Sequence, residues 1–189
     1  MAIGWPGEKV RLVPLEFERH FENCYRWIND ADVSEWLALG DLPMSRLAEK
    51  EWFEKAQVAT ETQIHFAIET LDGRHVGNSG LFRISRAHGT AMSGSLIGEF
   101  EDRGKGLGTD ATKVRAWYGF HVLGLRQLYS EYFGGNEPAK RMQEKVGYVE
   151  WGVRPAAFWK RGAYRDLVET VLTRERFFEL HPEWAGRSG

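Results

Sequence analysis

The chain has 189 residues, of which 42% are hydrophobic and 28% charged, a composition typical of one soluble globular domain with its own core. Its net charge of −2 lacks the basic surplus of a nucleic-acid-binding surface, and no stretch approaches the roughly 20 apolar residues of a membrane span. A single cysteine, Cys24, excludes an internal disulfide and favours a reducing compartment. We therefore expect a cytoplasmic protein without a membrane or nucleic-acid partner.

The first hundred residues show the periodicities of four strands and three helices. The predicted strands lie at residues 9–13, 63–69, 75–84 and 90–99. The predicted helices lie at residues 16–29, 32–39 and 45–59. Cys24 falls on the apolar face of the first helix together with Phe21 and Ile28, which predicts a core residue rather than a nucleophile.

The second half alternates helices with strands. Helices are predicted at residues 106–123, 136–147 and 173–180, and strands at 128–133, 148–153 and 164–172. The helix at 106–123 has one apolar face, formed by Leu107, Ala111, Val114, Tyr118 and Val122. Six or seven strands interleaved with helices, without a repeat or a linker, predict a single mixed α/β domain over residues 1–189.

Three alternate glycines, Gly104, Gly106 and Gly108, separate the strand at 90–99 from the helix at 106–123. Glycines allow a ligand to approach the backbone, and the first turn of a helix offers unpaired N–H groups at its positive end, so a phosphate site is one interpretation. The spacing matches neither a P-loop nor a dinucleotide fingerprint. A glycine-rich surface turn without a ligand is the alternative.

The segment from Arg103 to Gly108 resembles the Arg/Gln-x-x-Gly-x-Gly/Ala motif of the GNAT acyltransferases, whose backbone amides hold the coenzyme A pyrophosphate. The segment from Asn136 to Tyr148 is similar to a second stretch of that family. Residues 12–17, 27–30, 154–158 and 162–166 resemble the branch that includes ribosomal-protein N-terminal acetyltransferases. The likeness spans roughly residues 8–176 in the right order. It implies a splayed, mostly antiparallel sheet of six or seven strands flanked by helices, with acetyl-CoA in the opening.

The resemblance also implies site residues. Backbone groups of Leu96, Ile97 and Gly98 would pair with the pantetheine arm and polarise the thioester carbonyl. The pyrophosphate would be held by Arg103, Gly104, Lys105, Gly106, Gly108 and Thr109. Asn136 and Lys140 would contact coenzyme A further along the chain. The acceptor side would be lined by Trp27, Asn29, Asp30 and Trp36, although packing and helix capping would equally explain these four residues.

The residues for acid–base chemistry depart from the family pattern. When the segment is aligned on Asn136 and Gly147, the tyrosine that many family members use as the general acid falls at Gln143. The serine used in the ribosomal-protein branch falls at Ala139. Three alternatives stay open: a shifted tyrosine (Tyr129, Tyr132 or Tyr148) or water supplies the proton, the thiolate leaves unaided, or catalysis is weak. We name Tyr132 as a catalytic candidate.

A carboxylate near the expected thioester could serve as the general base. Glu99, at the end of a predicted strand, and Glu131, on the splayed strand, are the candidates. Six histidines show no ligand-like spacing to one another or to Cys24, so no metal site is expected.

The favoured function is acetyl-CoA-dependent N-acetylation of a primary amine, which would be a protein N-terminus, an amino sugar or antibiotic, or a small metabolite. A non-catalytic acyl-CoA-binding module is the first alternative, because Gln143 and Ala139 replace the usual acids. An acyltransferase that uses another donor, such as succinyl-CoA, is the second. Trp151 and Trp159 are candidates for the surface of a homodimer.

Overall fold

The computed structural model describes residues 3–39 and 41–187. Their eight strands form one sheet in the order β1-β2-β3-β4-β5-β6-β8-β7. The strands are β1 (Trp5–Pro6), β2 (Val10–Pro14), β3 (Gln63–Thr70), β4 (His75–Ser85), β5 (Thr90–Ile97), β6 (Gln127–Phe133), β7 (Val149–Lys160) and β8 (Ala163–Thr173). The mixed α/β class is confirmed, and the two-residue β1, which pairs with β2, brings the number of strands to eight instead of six or seven.

Six α-helices accompany the sheet in the described part of the chain. They are α1 (Phe17–Ile28), α2 (Ala31–Ser34), α3 (Arg46–Ala56), α4 (Leu107–Trp117), α5 (Glu137–Val146) and α6 (Arg174–Leu180). Within the described ranges, no helix combines the length and apolar character needed to cross a bilayer. The predicted helix at 106–123 is α4 followed by one π-helical turn over 118–122. That turn rotates the apolar face, so Phe120 is buried and Val122 is 46% exposed.

Two cores lie on opposite faces of the sheet, because neighbouring strand residues point in opposite directions. Leu12 of β2 belongs to the larger core, which α4 covers, whereas Val13 belongs to a smaller core with α1 and α3. Cys24 lies in the smaller core as predicted, and burial raises the pKa of its thiol to about 12. A thiol held protonated in this way is not a nucleophile at neutral pH.

Glu49 of α3 gives the smaller core a pH dependence. Its side chain is buried, and desolvation raises the pKa of its carboxyl from near 4.5 to about 7. The folded state therefore binds this proton more tightly than the unfolded state, and its stability falls as pH rises through that window. We expect the free energy of unfolding of Glu49→Gln, measured by urea denaturation, to exceed that of the parent protein by about 1–2 kcal/mol at pH 8. At pH 5 we expect no such gain. An equal effect at both pH values would contradict this assignment.

The sheet opens between its two central strands. β5 and β6 run parallel and pair at residues 90–92 and 127–129, the extent of their ladder among the described residues. Beyond Met92 and Tyr129 the two strands diverge, whereas β4 keeps its pairing with β5 as far as Ile97. The predicted splay is therefore present, with its closed end at Met92 and its open end toward the glycine turn.

Candidate active site

The glycine turn forms a backbone cradle at the start of α4. Gly104 and Gly106 have φ values of +78° and +84°, a left-handed conformation that glycine adopts without strain. The N–H of Asp110 makes the first hydrogen bond of the helix, to Gly106 at 3.0 Å, so the N–H groups of the preceding turn have no partner within the helix. These groups and the positive end of the helix suit a phosphate or diphosphate.

Two buried carboxylates hold the cradle in place. Asp110 accepts hydrogen bonds from the N–H groups of Glu8, Lys9 and Val10 at 3.1, 2.7 and 3.0 Å, which ties the start of β2 to α4. Asp102 accepts a bidentate pair of bonds from Arg74, whose guanidinium lowers the pKa of that carboxyl.

Lys9 is a cradle residue that the sequence reasoning missed. Its ammonium donates to the carbonyl of Lys105 at 2.9 Å and lies 3.2 Å from the place where a Cβ on Gly106 would stand. The ammonium of Lys105 itself lies 3.5 Å from Asp102. Lys9 is distant in sequence from the glycine turn. The hydrogen bond from its backbone N–H to Asp110 positions it beside the turn. The cradle therefore carries two lysine charges beside its backbone amides.

Pairing between β4 and β5 decides which backbone groups face the opening. The N–H of Gly98 donates to the carbonyl of Val76 at 3.0 Å. Orientation alternates along an antiparallel strand, so the N–H of Leu96 also points at β4. The N–H groups of Ser95 and Ile97 point the other way, into the gap between β5 and β6.

This register corrects the expected backbone contacts. Of the three residues expected to donate to pantetheine, Ile97 offers its N–H to the opening, whereas Leu96 and Gly98 do not. Ser95, which the sequence reasoning missed, offers another. Gly98 serves a different purpose, because a Cβ there would lie 2.1 Å from ring atoms of Trp27. Glycine at this position lets the indole pack directly on the strand.

A cavity of about 370 Å³ occupies the opening and continues toward α2 and α3. One wall is formed by β4 and β5, and the other by Glu131, Tyr132 and Phe133 of β6. Large apolar and aromatic side chains close its far side: Trp36, Leu37, Trp52, His65, Phe82 and Leu167. The ring of Phe82 lies over two glycines that oppose each other on β4 and β5, Gly80 and Gly94.

Three of the four predicted acceptor residues have structural roles. Trp27 is 1% exposed and donates to Glu99 at 2.9 Å. Asn29 hydrogen-bonds backbone groups at the end of α1 and before α3, and Asp30 caps α2. None of the three lines the cavity, so packing and capping explain them. Trp36 does line it, and its acceptor role stays a prediction.

The two candidate bases differ in their surroundings. Glu99 is bound by Arg26 and Trp27, and the hydrogen bond from Arg26 lowers the pKa of its carboxyl, which weakens it as a base. Glu131 lines the cavity and lies 3.5 Å from the guanidinium of Arg154. Its position makes Glu131 the better placed of the two.

The candidate acids are constrained by their neighbours. Tyr132 lines the cavity, but its hydroxyl donates to Glu150, and burial together with that bond raises the pKa of the phenol. Gln143 is buried and its amide bonds the hydroxyls of Ser130 and Thr170 at 3.2 and 2.5 Å. The amide at the position of the family tyrosine therefore joins α5 to the sheet.

The two predicted coenzyme A contacts on α5 also have protein partners. Asn136 caps the helix through the N–H of Ala139 at 3.2 Å. Lys140 lies 3.7 Å from Glu150 and is partly exposed. Both roles toward the cofactor stay predictions. In the part of the chain that the structure describes, no three His, Cys, Asp or Glu side chains come close enough together to hold a metal ion.

Comparison with known proteins decides the family. Residues 9–149 match the model of the acetyltransferase (GNAT) domain. The chain belongs to this GNAT family. The sequence resemblance is thereby confirmed, and the protein is an acetyltransferase that uses acetyl-CoA to acetylate amines.

Several GNAT relatives align over most of their length. Spermidine N(1)-acetyltransferase of Escherichia coli is 28% identical over 175 residues, which cover 93% of this chain and 91% of the relative. The putative ribosomal N-acetyltransferase YdaF of Bacillus subtilis is 28% identical over 184 residues, covering 94% and 93%.

Solved structures share the GNAT fold. Spermidine N-acetyltransferase from Vibrio cholerae, in complex with CoA and spermine, superposes with a TM-score of 0.80 at 21% identity, covering 89% of this chain and 98% of that one. Mycobacterium smegmatis RimJ, in complex with CoA-disulfide, gives 0.76 at 19% identity, covering 88% and 82%. At these identities the likeness shows the fold.

Proposed function

We propose that the acceptor of this GNAT acetyltransferase is a primary amine with one positive charge, carried on an apolar or aromatic body. The lining of the cavity carries this proposal. Its far side is formed by Trp36, Trp52 and Phe82 with neighbouring apolar side chains, and Glu131 is the one acid among the described lining residues. Aromatic faces attract a cationic amine and bury an apolar body equally well.

Arginines pair with the carboxylates around the cavity, and one of them, Arg154, is shared between Glu131 and Glu169. Glu131 lies 3.5 Å from Arg154, and Arg165 pairs with Glu35 at 3.1 Å while stacking over Trp36. A linear polyamine carries several ammonium groups, and its recognition requires carboxylates that are free to bind them. This pattern supports a monoamine over a linear polyamine such as spermidine.

The chemistry of transfer favours an amine of low basicity. At pH 7 an α-amine near pKa 8 loses its proton at a cost of about 1 kcal/mol, whereas a lysine-like amine costs about 4–5 kcal/mol. The neutral nitrogen attacks the thioester carbon, and the C–S bond breaks with its electron pair on sulfur. Glu131 is placed to receive the proton of the amine, directly or through water. A peptide N-terminus with an apolar first residue fits both requirements.

The cavity also supports acetyl over a dicarboxylic acyl group. A succinyl donor would bring a second carboxylate, which requires a cationic partner beside the acyl tail. Among the described residues that line the cavity, none is a lysine or an arginine. A homodimer through the exposed Trp151 and Trp159 stays a prediction.

An amine panel tests the acceptor proposal. With acetyl-CoA and detection of free thiol, we expect a Phe-Ala dipeptide, which joins a weakly basic α-amine to an aromatic body, to exceed spermidine in kcat/KM by at least about tenfold, roughly 1.4 kcal/mol. Trp36→Ala should raise the KM for this dipeptide about tenfold and leave that for acetyl-CoA unchanged. Trp159→Ala, which removes an exposed tryptophan outside the cavity, is the matched control. A preference for spermidine would refute the proposal.

A further inference from the structure

Arg115 of α4 is a buried cation beneath the opening. Its side chain is 1% exposed, and none of the ion pairs among the described residues includes its guanidinium. Its Nε has no hydrogen-bond partner. A charge without an acidic partner is costly inside a protein, so its burial here calls for an explanation.

One terminal nitrogen of Arg115 binds β4 and β5 just below the cavity. Its Nη1 donates to the carbonyl of Gly94 at 2.6 Å, to the hydroxyl of Ser79 at 3.0 Å and to the hydroxyl of Ser95. Ser79 and Ser95 oppose each other on the two strands, and their oxygens are 3.1 Å apart. The guanidinium and the two hydroxyls form one connected cluster.

Counting protons in this cluster leaves one hydroxyl without a protein acceptor. The two protons of Arg115 Nη1 are shared among three acceptors, the carbonyl of Gly94 and the two serine oxygens, and one of the two hydroxyl protons is used in the bond between the serines. The other proton has no acceptor among the described residues. Both serines line the cavity, but Ser79 is buried whereas Ser95 is half-buried, so Ser95 is the serine that presents its O–H to a substrate.

The expected placement of acetyl-CoA brings this O–H to the reacting end of the cofactor. With the diphosphate on the cradle at residues 103–109, on which this inference rests, the pantetheine arm would run back along β5 from Ile97 toward the closed end of the opening at Met92. Ser95 lies between these two residues. Its free backbone N–H and its hydroxyl would both meet the arm near the thioester.

We infer that Ser95 is a catalytic hydrogen-bond donor to the departing thiolate and that Arg115 is its positioning residue. When the amine nitrogen bonds to the carbonyl carbon and the C–S bond breaks, the electron pair goes to sulfur. Ser95 keeps its proton and donates a hydrogen bond to that sulfur, which then takes a proton from water. Arg115 orients the hydroxyl and, through its charge, makes it a stronger donor. The pair replaces the acid that Gln143 and Ala139 cannot supply.

Ser95→Ala tests this inference with two acyl donors. With acetyl-CoA and the best amine of the panel, we expect kcat to fall about tenfold to hundredfold, while the KM for acetyl-CoA changes less than about threefold. With 4-nitrothiophenyl acetate, whose thiolate is stable by itself, the loss in kcat/KM should shrink to less than about twofold. A residue that only supports β5 would show the same loss with both donors. The test does not depend on which amine is best.

Two further variants complete the experiment. Ser95→Thr retains the hydroxyl and is expected to keep kcat within about threefold of the parent. Ser85→Ala removes a serine of β4 that lies outside the cavity and serves as the control. Circular dichroism melting establishes that each variant is folded. Equal losses with the two donors, or full activity of Ser95→Ala with acetyl-CoA, would overturn the inference.

Discussion

Gly106→Trp is expected to raise the Kd for coenzyme A at least about 100-fold, close to 2.7 kcal/mol. Gly106 has a φ of +84°, a conformation that residues with a side chain rarely adopt, and a Cβ there would stand 3.2 Å from the ammonium of Lys9. An indole at this position would cover the N–H groups at the start of α4 and displace the lysine. Isothermal titration with coenzyme A measures the change.

Gly162→Trp is the matched control for this variant. Gly162 has a φ of +90° in the turn between β7 and β8, and nothing lies within 4 Å of the place where its Cβ would stand. It therefore carries the same backbone strain and the same added ring, away from the cradle. We expect its affinity for coenzyme A to stay within about twofold of the parent. Equal affinities for the two variants would mean that the diphosphate does not rest on this turn.

Asp110→Ala is expected to lower the free energy of unfolding by about 3 kcal/mol. The carboxylate accepts three backbone hydrogen bonds from residues 8–10, and its removal leaves these donors without partners in a partly buried place. It also removes a negative charge from the first turn of α4. For a chain of this size, the melting temperature should fall by about 6–12 °C.

Two further variants serve as comparisons for Asp110→Ala. Asp110→Asn keeps one oxygen acceptor and should lose roughly half as much stability. Glu101→Ala removes an exposed carboxylate of the neighbouring segment and should stay within about 0.5 kcal/mol of the parent. Urea unfolding at pH 7 compares the variants. If Asp110→Ala were as stable as the parent protein, the contact between β2 and α4 would contribute nothing to the free energy of unfolding.

The order of elements could be predicted because each carries a local pattern. The glycines at 104–108 sit between a strand and a helix, and the structure places their backbone at the start of α4. The two-residue β1 could not be predicted, since its pairing with β2 leaves no periodicity in Trp5 and Pro6. The π-helical turn after Trp117 is likewise invisible in a pattern that assumes a regular helix.

Roles within the site depended on partners that lie far apart in sequence. A shift of one residue in pairing reverses the direction of every backbone group, so the N–H groups of Leu96 and Ser95 could be assigned only once β4 was in register. Trp27 is buried because Gly98 leaves space for its ring. From the sequence alone, an arginine such as Arg115 would be expected at the surface. In the structure it is buried, where it hydrogen-bonds serines of β4 and β5.

A crystal structure of the protein with coenzyme A tests the central claim most directly. We expect the diphosphate within hydrogen-bond distance of the backbone N–H groups of residues 104–109, and the sulfur between β5 and β6 within reach of Ser95. A diphosphate bound elsewhere, or a pantetheine arm lying outside the gap between these strands, would contradict the account.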